Sequence, residues 1–359
     1  MKVLVITNIA SPYRVDFFRY LQKSYPAYGF HILYATAGQE GREWTAQSAL
    51  PDSYFLRSRS ITVGKKGWER TIHFPVNPSE TIRSIAPDVV VASEYNPTAL
   101  AALSWCRRNK VPFVHWTDGT LVNERNLNPV QKWARRRIVG NADSFIASSS
   151  AAKHKLEAYG AKKEIFISFL TVDIDKYLAE KRESDATTLL TVGGLIERKG
   201  VDLLIEAMTK MHHRCRLLVV GGGPEEQKLK ELARKHNVSA AFLGFLEGKA
   251  LRSAYAAGDV FVTATREDCF GLVMLEAMCA SLPIVASSYA DGAYDLIDGN
   301  GRIADPFDAE ASAEAIDQTL DENGRDNALG RRSYERARLF SFARVAPPFV
   351  AAIDEAVKQ

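Results

Sequence analysis

The stretch from Phe261 to Ser287, FVTATREDCFGLVMLEAMCASLPIVAS, constrains the chain most. Phe261 to Ala264 is a short β-branched and aromatic run, Phe270 to Ala280 carries apolar residues at helical spacing, and Leu282 to Ser287 is apolar again. The order strand, helix, strand is one βαβ unit of a parallel sheet, and such sheets collect ligands outside the carboxyl ends of their strands. The polar run Thr265-Arg266-Glu267-Asp268 falls there, and a buried core has no use for three successive charges. Gly271 stands where the helix begins, so the amides of Phe270, Gly271 and Leu272 are placed to meet an anion, helped by the positive end of the helix dipole. Asp268 and Glu276 bracket this turn. Carboxylates repel phosphate, so these two suit sugar hydroxyls on either side of an anion site. A plainer reading stays open, in which Asp268 caps the helix and Glu276 lies on a solvated face.

At 359 residues the chain exceeds the size at which one hydrophobic core keeps growing, so two domains are expected. No run approaches the roughly 20 apolar residues of a membrane span. The start MKVLVITNIA is a strand and not a cleavable leader, which predicts a cytoplasmic protein. Cys106, Cys215, Cys269 and Cys279 show neither CxxC spacing nor a disulfide ladder, and His212 and His213 are adjacent instead of one helical turn apart, so no metal site is expected. The charge is split: residues 1–170 hold 23 lysines and arginines against 13 aspartates and glutamates, and the remainder holds 23 against 30. A basic amino-terminal half fits an anionic lipid or lipid-diphosphate partner. Nucleic acid is disfavoured, since no zinc-finger, helix-turn-helix or aromatic RNA-binding signature is present.

Along the amino-terminal half, strands alternate with helices. Val3 to Thr7 reads as a buried strand leading through Asn8-Ile9-Ala10 to Ser11-Pro12, an N-cap and first helical residue, which puts Ser11 and Arg14 at the rim of a cleft. Lys65-Lys66-Gly67-Trp68 reads as a loop. A strand over Val111–His115 delivers Trp116-Thr117-Asp118-Gly119, where Asp118 either accepts a proton from a substrate hydroxyl or is a turn residue before glycine. The basic run Lys132–Val139 is either a solvated helix face or a Trp-bearing patch for an anionic membrane.

A hinge is placed at residues 171–187, including the polar run Glu180–Asp185. Beyond it, a strand at Leu189–Val192 runs into Gly193-Gly194-Leu-Ile-Glu-Arg198-Lys199-Gly200, glycines that let a backbone approach phosphate followed by positive charge. The spacing is not that of a P-loop. Gly221-Gly222-Gly223-Pro224 fails the dinucleotide fingerprint, because Glu226 stands at its last glycine position. Phe242–Leu246 reads as a strand, with Phe245 either core or ligand contact, and a last helix follows Pro347-Pro348.

Asp268-Cys-Phe-Gly-Leu-Val-Met-Leu-Glu276 resembles the E-x7-E signature of retaining, GT-B-fold glycosyltransferases of the family 4 type, with Asp in place of the first Glu. The segment ending in Lys199-Gly200 is similar to the same family's G-R-L-x-x-x-K-G, with Gly194 where the family has Arg and Arg198 nearby to supply charge. The resemblance implies two Rossmann-like α/β domains with doubly wound parallel sheets facing a cleft: residues 1–170 for the acceptor, 188–340 for the donor, and 341–359 as a helix crossing back. It implies that Asp268, or Glu267 beside it, meets the transferred hexose, that the Phe270, Gly271 and Leu272 amides meet sugar and diphosphate, and that Glu276 holds the ribose. Gly193, Gly194, Arg198 and Lys199 would line the diphosphate, backbone around Phe245 and Leu246 would meet the base, and Ser11, Arg14 and Asp118 the acceptor. Lys199, Asp268, Glu276 and Asp118 are the catalytic candidates. The expected reaction moves a hexose from a nucleoside diphosphate sugar, UDP- or GDP-linked, to a glycan or lipid-diphosphate-linked acceptor, with no further cofactor, at the inner face of a membrane. A sugar-nucleotide epimerase, a nicotinamide oxidoreductase and a non-catalytic sugar-nucleotide binder are the rival readings.

Overall fold

β1 (Lys2–Thr7), KVLVIT, lies in the interior of a seven-stranded sheet, as its two apolar faces require. Val3 and Val5 point into one core layer and Leu4 and Ile6 into the other, the alternation a pleated strand imposes. The computed structural model describes residues 1–38, 49–64, 68–179, 186–324 and 326–358, and it divides into two compact units. The first comprises Met1–Val172 with Phe342–Gln359, the second Asp173–Ser341. The expected Lys65-Lys66-Gly67 part of a loop and the Glu180–Asp185 part of the hinge lie outside the described residues.

In the first unit, α1 (Pro12–Ser24), β2 (Gly29–Tyr34), β3 (Tyr54–Phe55), an antiparallel ribbon of β4 (Ser58–Val63) and β5 (Arg70–Pro75), α2 (Pro78–Ile85), β6 (Val89–Ser93), α3 (Pro97–Asn109), β7 (Phe113–Thr117), α4 (Pro129–Val139), β8 (Ser144–Ala147), α5 (Ser150–Ala158) and β9 (Ile165–Ile167) follow β1. The sheet order is β3-β2-β1-β6-β7-β8-β9, with every neighbouring pair parallel. Proline opens α1, α2, α3 and α4 at a position where its missing N–H costs nothing. β7 lies two residues later than its apolar run suggests. Trp116 is therefore inside the sheet, its ring 5.3 Å from that of Phe349 and its Nε1 donating to Ser148 Oγ at 2.8 Å.

The second unit runs β10 (Thr188–Val192), α6 (Val201–Met208), β11 (Arg216–Val220), α7 (Glu226–Lys235), β12 (Ala240–Phe242), α8 (Gly248–Ala256), β13 (Val260–Thr263), α9 (Leu272–Cys279), β14 (Ile284–Ser287), α10 (Ala293–Leu296), β15 (Gly301–Ala304), α11 (Ala309–Asn323) and α12 (Ala328–Ala337). Its parallel sheet has the order β12-β11-β10-β13-β14-β15, which is the doubly wound 3-2-1-4-5-6 arrangement. The strand expected over Phe242–Leu246 ends at Phe242. Gly244 turns at a φ of 71°, and its carbonyl accepts from Gly221 N at 2.8 Å, so residues 243–247 form the strand's exit.

The last helix also begins earlier than expected. α13 (Phe342–Val357) passes through Pro347 and Pro348 without stopping. Buried anchors flank the prolines on both sides, Val345 and Ala346 before them and Phe349, Val350 and Ile353 after, all packed in the first unit's core, and that burial outweighs the lost helical hydrogen bonds. Phe349 is fully buried, with its ring centroid 5.4 Å from Phe17. Phe349→Ala is expected to destabilise the first unit by about 3–5 kcal/mol. In calorimetry one transition should move down while that of the second unit stays in place.

Candidate functional site

Both sheets reverse their winding at one gap, β1/β6 in the first unit and β10/β13 in the second, and ligands of open α/β sheets bind outside the strand ends at such a gap. The second unit's gap holds most of the residues singled out by sequence. After β10, Gly193 leads into a turn over Glu197–Lys199, and Gly200 follows with a φ of 67°. A Cβ on Gly200 would lie 1.9 Å from the Ala264 carbonyl oxygen, so glycine there lets the Lys199 turn sit directly against the exit of β13. The contact is sewn together by Arg266 N and Thr265 Oγ1, which both donate to the Arg198 carbonyl at 2.8 and 3.0 Å. Arg266 itself grips Asp202 through both guanidinium nitrogens at 2.8 and 2.7 Å and donates to the Glu197 carbonyl. Arg266 is thus a structural clasp.

Lys199 and Asp268 meet across the gap, Nζ to Oδ2 at 2.5 Å. Burial pushes the Asp268 carboxyl up, but the Lys199 ammonium, then Arg198 and the Phe270 amide, outweigh it and hold the group below the usual aspartate value. Arg198 donates to the Glu267 carbonyl at 2.8 Å, which keeps its guanidinium beside the pair. Gly194 has room, since a Cβ there would have no neighbour closer than 4.0 Å.

The helix at this gap starts one step later than the apolar spacing suggests. α9 begins at Leu272 with Gly271 as its N-cap in the left-handed conformation, φ 76°. Phe270 is therefore outside the helix, and its N–H leans on Asp268 Oδ1 at 3.4 Å, which leaves the first helical turn as the dipole end. Glu276, further along α9, accepts a hydrogen bond from Tyr255 Oη at 2.7 Å. Burial raises its carboxyl above the ordinary value, and hydrogen bonds from Tyr255 and Tyr177 pull it back only in part. Neither tyrosine was marked by any motif, since each stands at an ordinary amphipathic or turn position. Phe245 is 53% exposed, which removes the core reading, and Leu246 beside it is half-buried.

In the first unit Arg14 pairs with Asp118, and Ser148 Oγ donates to the other Asp118 oxygen at 2.6 Å. Burial would lower the Arg14 guanidinium, but Asp118, with Tyr13 and Glu94, more than reverses this and keeps it charged. Ser11 caps α1 by position only: it is buried and its hydroxyl makes no capping bond. Sequence reasoning missed Glu94. It follows directly on β6 in the left-handed region at φ 64°, and its carboxylate accepts from Asp118 N at 2.7 Å. A bulky residue held in that region is uncommon and gathers at functional sites. Across the gap Asn96 Nδ2 donates to Asn8 Oδ1 at 2.9 Å.

Behind Asp118 lies a buried ion network. Arg135 forks onto both Glu124 oxygens at 2.8 Å, Tyr159 Oη donates to Glu124 at 2.7 Å, and the fully buried Lys155 ammonium sits 3.5 Å from Glu124 and 2.7 Å from Thr117 Oγ1. The Asp118–Gly119 loop rests on it, since a Cβ on Gly119 would lie 2.9 Å from Lys155 Nζ.

Two family models cover the chain almost end to end, Glycosyltransferase Family 4 over residues 17–176 and Glycosyl transferases group 1 over residues 173–336. The chain belongs to the family 4 glycosyltransferases. Its curated relatives include an alpha-D-kanosaminyltransferase of Streptomyces kanamyceticus, 29% identical over 61% of this chain and 60% of that protein. Another is the sulfoquinovosyl transferase SQD2 of Arabidopsis thaliana, 26% identical over 73% and 55%. The matches thus span less than two thirds of these relatives' lengths. Among solved structures, the sucrose-phosphate synthase of Thermosynechococcus elongatus superposes with a TM-score of 0.76 at 18% identity, covering 99% of this chain and 98% of that one. Anabaena HepE, solved with UDP and glucose, gives 0.76 at 17% identity over 99% of each. These likenesses establish the fold of this family 4 glycosyltransferase as GT-B.

The acid sensitivity of the first unit follows from Glu124. Burial pushes its carboxyl up, but Arg135, Lys155 and Tyr159 together hold it below the ordinary 4.5. A group depressed on folding contributes stability in full above its unfolded value and loses it as pH falls through the folded one. The first unit should therefore melt at progressively lower temperature below about pH 4.5. Glu124→Gln should flatten that acid limb while costing about 3–5 kcal/mol at neutral pH, because Lys155 and Arg135 lose their partner.

Proposed function

We propose that the second unit binds a nucleoside diphosphate sugar, UDP- or GDP-linked, and that the enzyme transfers its hexose with retention to a hydroxyl of a glycan or lipid-linked acceptor held by the first unit. The observation that carries this reading is the Lys199–Asp268 pair at the switch point of a doubly wound sheet, beside the glycine-started helix α9. The ammonium and the helix dipole favour a diphosphate, and Asp268 and Glu276 accept hydrogen bonds from hydroxyls. HepE's structure with UDP and glucose supports a ligand of this class.

In this reading the bond between the anomeric carbon and the diphosphate oxygen breaks as the acceptor oxygen bonds to the same face of that carbon, and the acceptor's proton passes to the departing phosphate oxygen. Lys199, Arg198 and the first turn of α9 stabilise the negative charge growing on the diphosphate, preorganised electrostatics of the kind that usually contributes most. Glu276, oriented by Tyr255, takes the ribose hydroxyls, and the exposed Phe245 face with Leu246 takes the base. Asp118, held by Arg14 and Ser148, receives the acceptor hydroxyl's hydrogen bond. No helix among the described residues is long and apolar enough to cross a membrane. For contact with an anionic membrane, α4 offers Trp133 at 56% exposure beside the exposed Lys132, Arg136 and Arg137.

Lys199→Ala should lower turnover by about 10² or more with an unchanged fold. The check is steady-state transfer from each of UDP-, GDP- and ADP-sugars, preceded by a thermal-shift screen for the one that stabilises the protein. Full activity in that variant refutes the assignment, and release of isomerised sugar without any acceptor points to an epimerase.

A further inference from the structure

The β4–β5 ribbon presents a face that the proposed reaction does not use. Its register sets Arg59 opposite Phe74 and Ile61 opposite Ile72, and Val76 N donates to the Arg57 carbonyl at 2.7 Å, extending the pairing by one residue. Alternate residues of a strand share a face, so Arg57, Arg59, Ile61 and Val63 lie on the same side as Phe74 and Val76. Ile61, Val63, Phe74 and Val76 are 43–53% exposed, and both arginines are exposed. The opposite face is the one that anchors the ribbon, although Ser60 and Thr62 on it are exposed. His73 is buried there, with Nδ1 2.7 Å from Ser60 Oγ, and β5 packs on α3.

We propose that this ribbon face is a membrane-docking surface that inserts Ile61, Val63, Phe74 and Val76 into the interface of an anionic bilayer. Charge selects this occupant. The sequence from Arg57 to Arg70 holds five lysines and arginines and one acid, Glu69, within a strongly basic half of the chain. A second copy of the chain would set the same basic face against itself. Nucleic acid would satisfy the arginines but gives the aliphatic side chains nothing to bury against. A lipid interface satisfies both, with apolar groups sinking below the headgroups and the arginine stems covering the boundary.

A single small apolar patch binds membranes only weakly, and stable docking takes two signals. The second is at hand: α4, with exposed Trp133 and Val130 among its cations, packs on the same helix α3 as the ribbon does. Tryptophan is a residue of membrane interfaces. The proposal rests on the membrane-contact reading given above and adds the element that drives insertion. It stands apart from the sugar chemistry.

Flotation with phosphatidylcholine vesicles, with and without phosphatidylglycerol, tests it. The unaltered protein is expected to float with the phosphatidylglycerol vesicles, less so at high salt, and Ile61→Glu with Phe74→Glu is expected to weaken that partition by about tenfold or more. Transfer to a water-soluble acceptor should be unchanged in the double variant, and circular dichroism should show the same melt. As an independent readout, Phe74→Trp should give fluorescence that brominated phosphatidylcholine, mixed with phosphatidylglycerol, quenches. Partition unaffected by the double substitution, an unquenched Trp at position 74, or a dimer that the glutamates dissociate without any vesicle binding overturns the proposal. If flotation behaves as expected while no sugar transfer is found with any donor, docking stands and the catalytic reading falls.

Discussion

One contact between backbones makes the rest of the second unit's site possible. The Lys199 turn can touch the β13 exit only because Gly200 carries no side chain where the Ala264 carbonyl stands. From that approach follow the two hydrogen bonds to the Arg198 carbonyl, the Arg266–Asp202 clasp, and the meeting of Lys199 with Asp268. The glycines of the neighbouring exits work in the same way. A Cβ on Gly221 would lie 1.9 Å from the Gly193 carbonyl oxygen, and one on Gly223 would lie 2.4 Å from that of Leu195. The loops after β10, β11 and β13 are therefore stacked backbone on backbone, which gives a polar floor with few side chains in the way of a phosphate.

The first unit solves the corresponding problem with charge. Its switch point carries Arg14, Glu94 and Asp118, and beneath them Lys155, Glu124 and Arg135 are buried together. Three cations and three carboxylates in one cluster cancel, so the cluster is costly to break and of little net benefit to stability. A rigid loop is what it yields. Thr117, Asp118 and Gly119 are held from behind by Lys155, from the side by Glu94 and from the front by Arg14, and a carboxylate fixed in this way is prepared to orient a hydroxyl.

Much of this was legible in the sequence where a residue type answers to a local rule. The βαβ signal at Phe261–Ser287 located β13, α9 and β14, and the glycine of the Phe270-Gly271-Leu272 segment opened the helix, because hydrophobic period and left-handed glycine are both local properties. Lys199 and Asp268 were each marked, but their pairing was not, since it depends on which strands flank the switch point. Glu94, Tyr255, Tyr177 and the Lys155–Glu124–Arg135 cluster left no signal for the same reason: their partners lie outside a helical turn, from 11 positions away for Arg135 and Glu124 to 21 for Tyr255 and Glu276 and 24 for Glu94 and Asp118, and no spacing rule ties them. The errors were those of competing forces. Tertiary burial carried α13 through two prolines and drew Trp116 into β7, where local propensity alone would have put a helix start and a strand end.

Gly194 shows how far the physical reading extends. Unlike Gly200, Gly221 and Gly223 it is not demanded by the backbone, since its Cβ position is open to 4.0 Å. The arginine that the family resemblance would place there is thus absent without steric cause. Positive charge is found on the other side of the turn, where Arg198 is anchored to the Glu267 carbonyl and acts on Asp268. A guanidinium anchored by a backbone carbonyl is less free to fold around a ligand than one on an open loop, and its orientation is set before any ligand arrives. Positive charge is present at the switch point without a long side chain at position 194. The open position at Gly194 and the stacked glycines of the neighbouring loops thus leave backbone, and not long side chains, at the exits of β10 and β11.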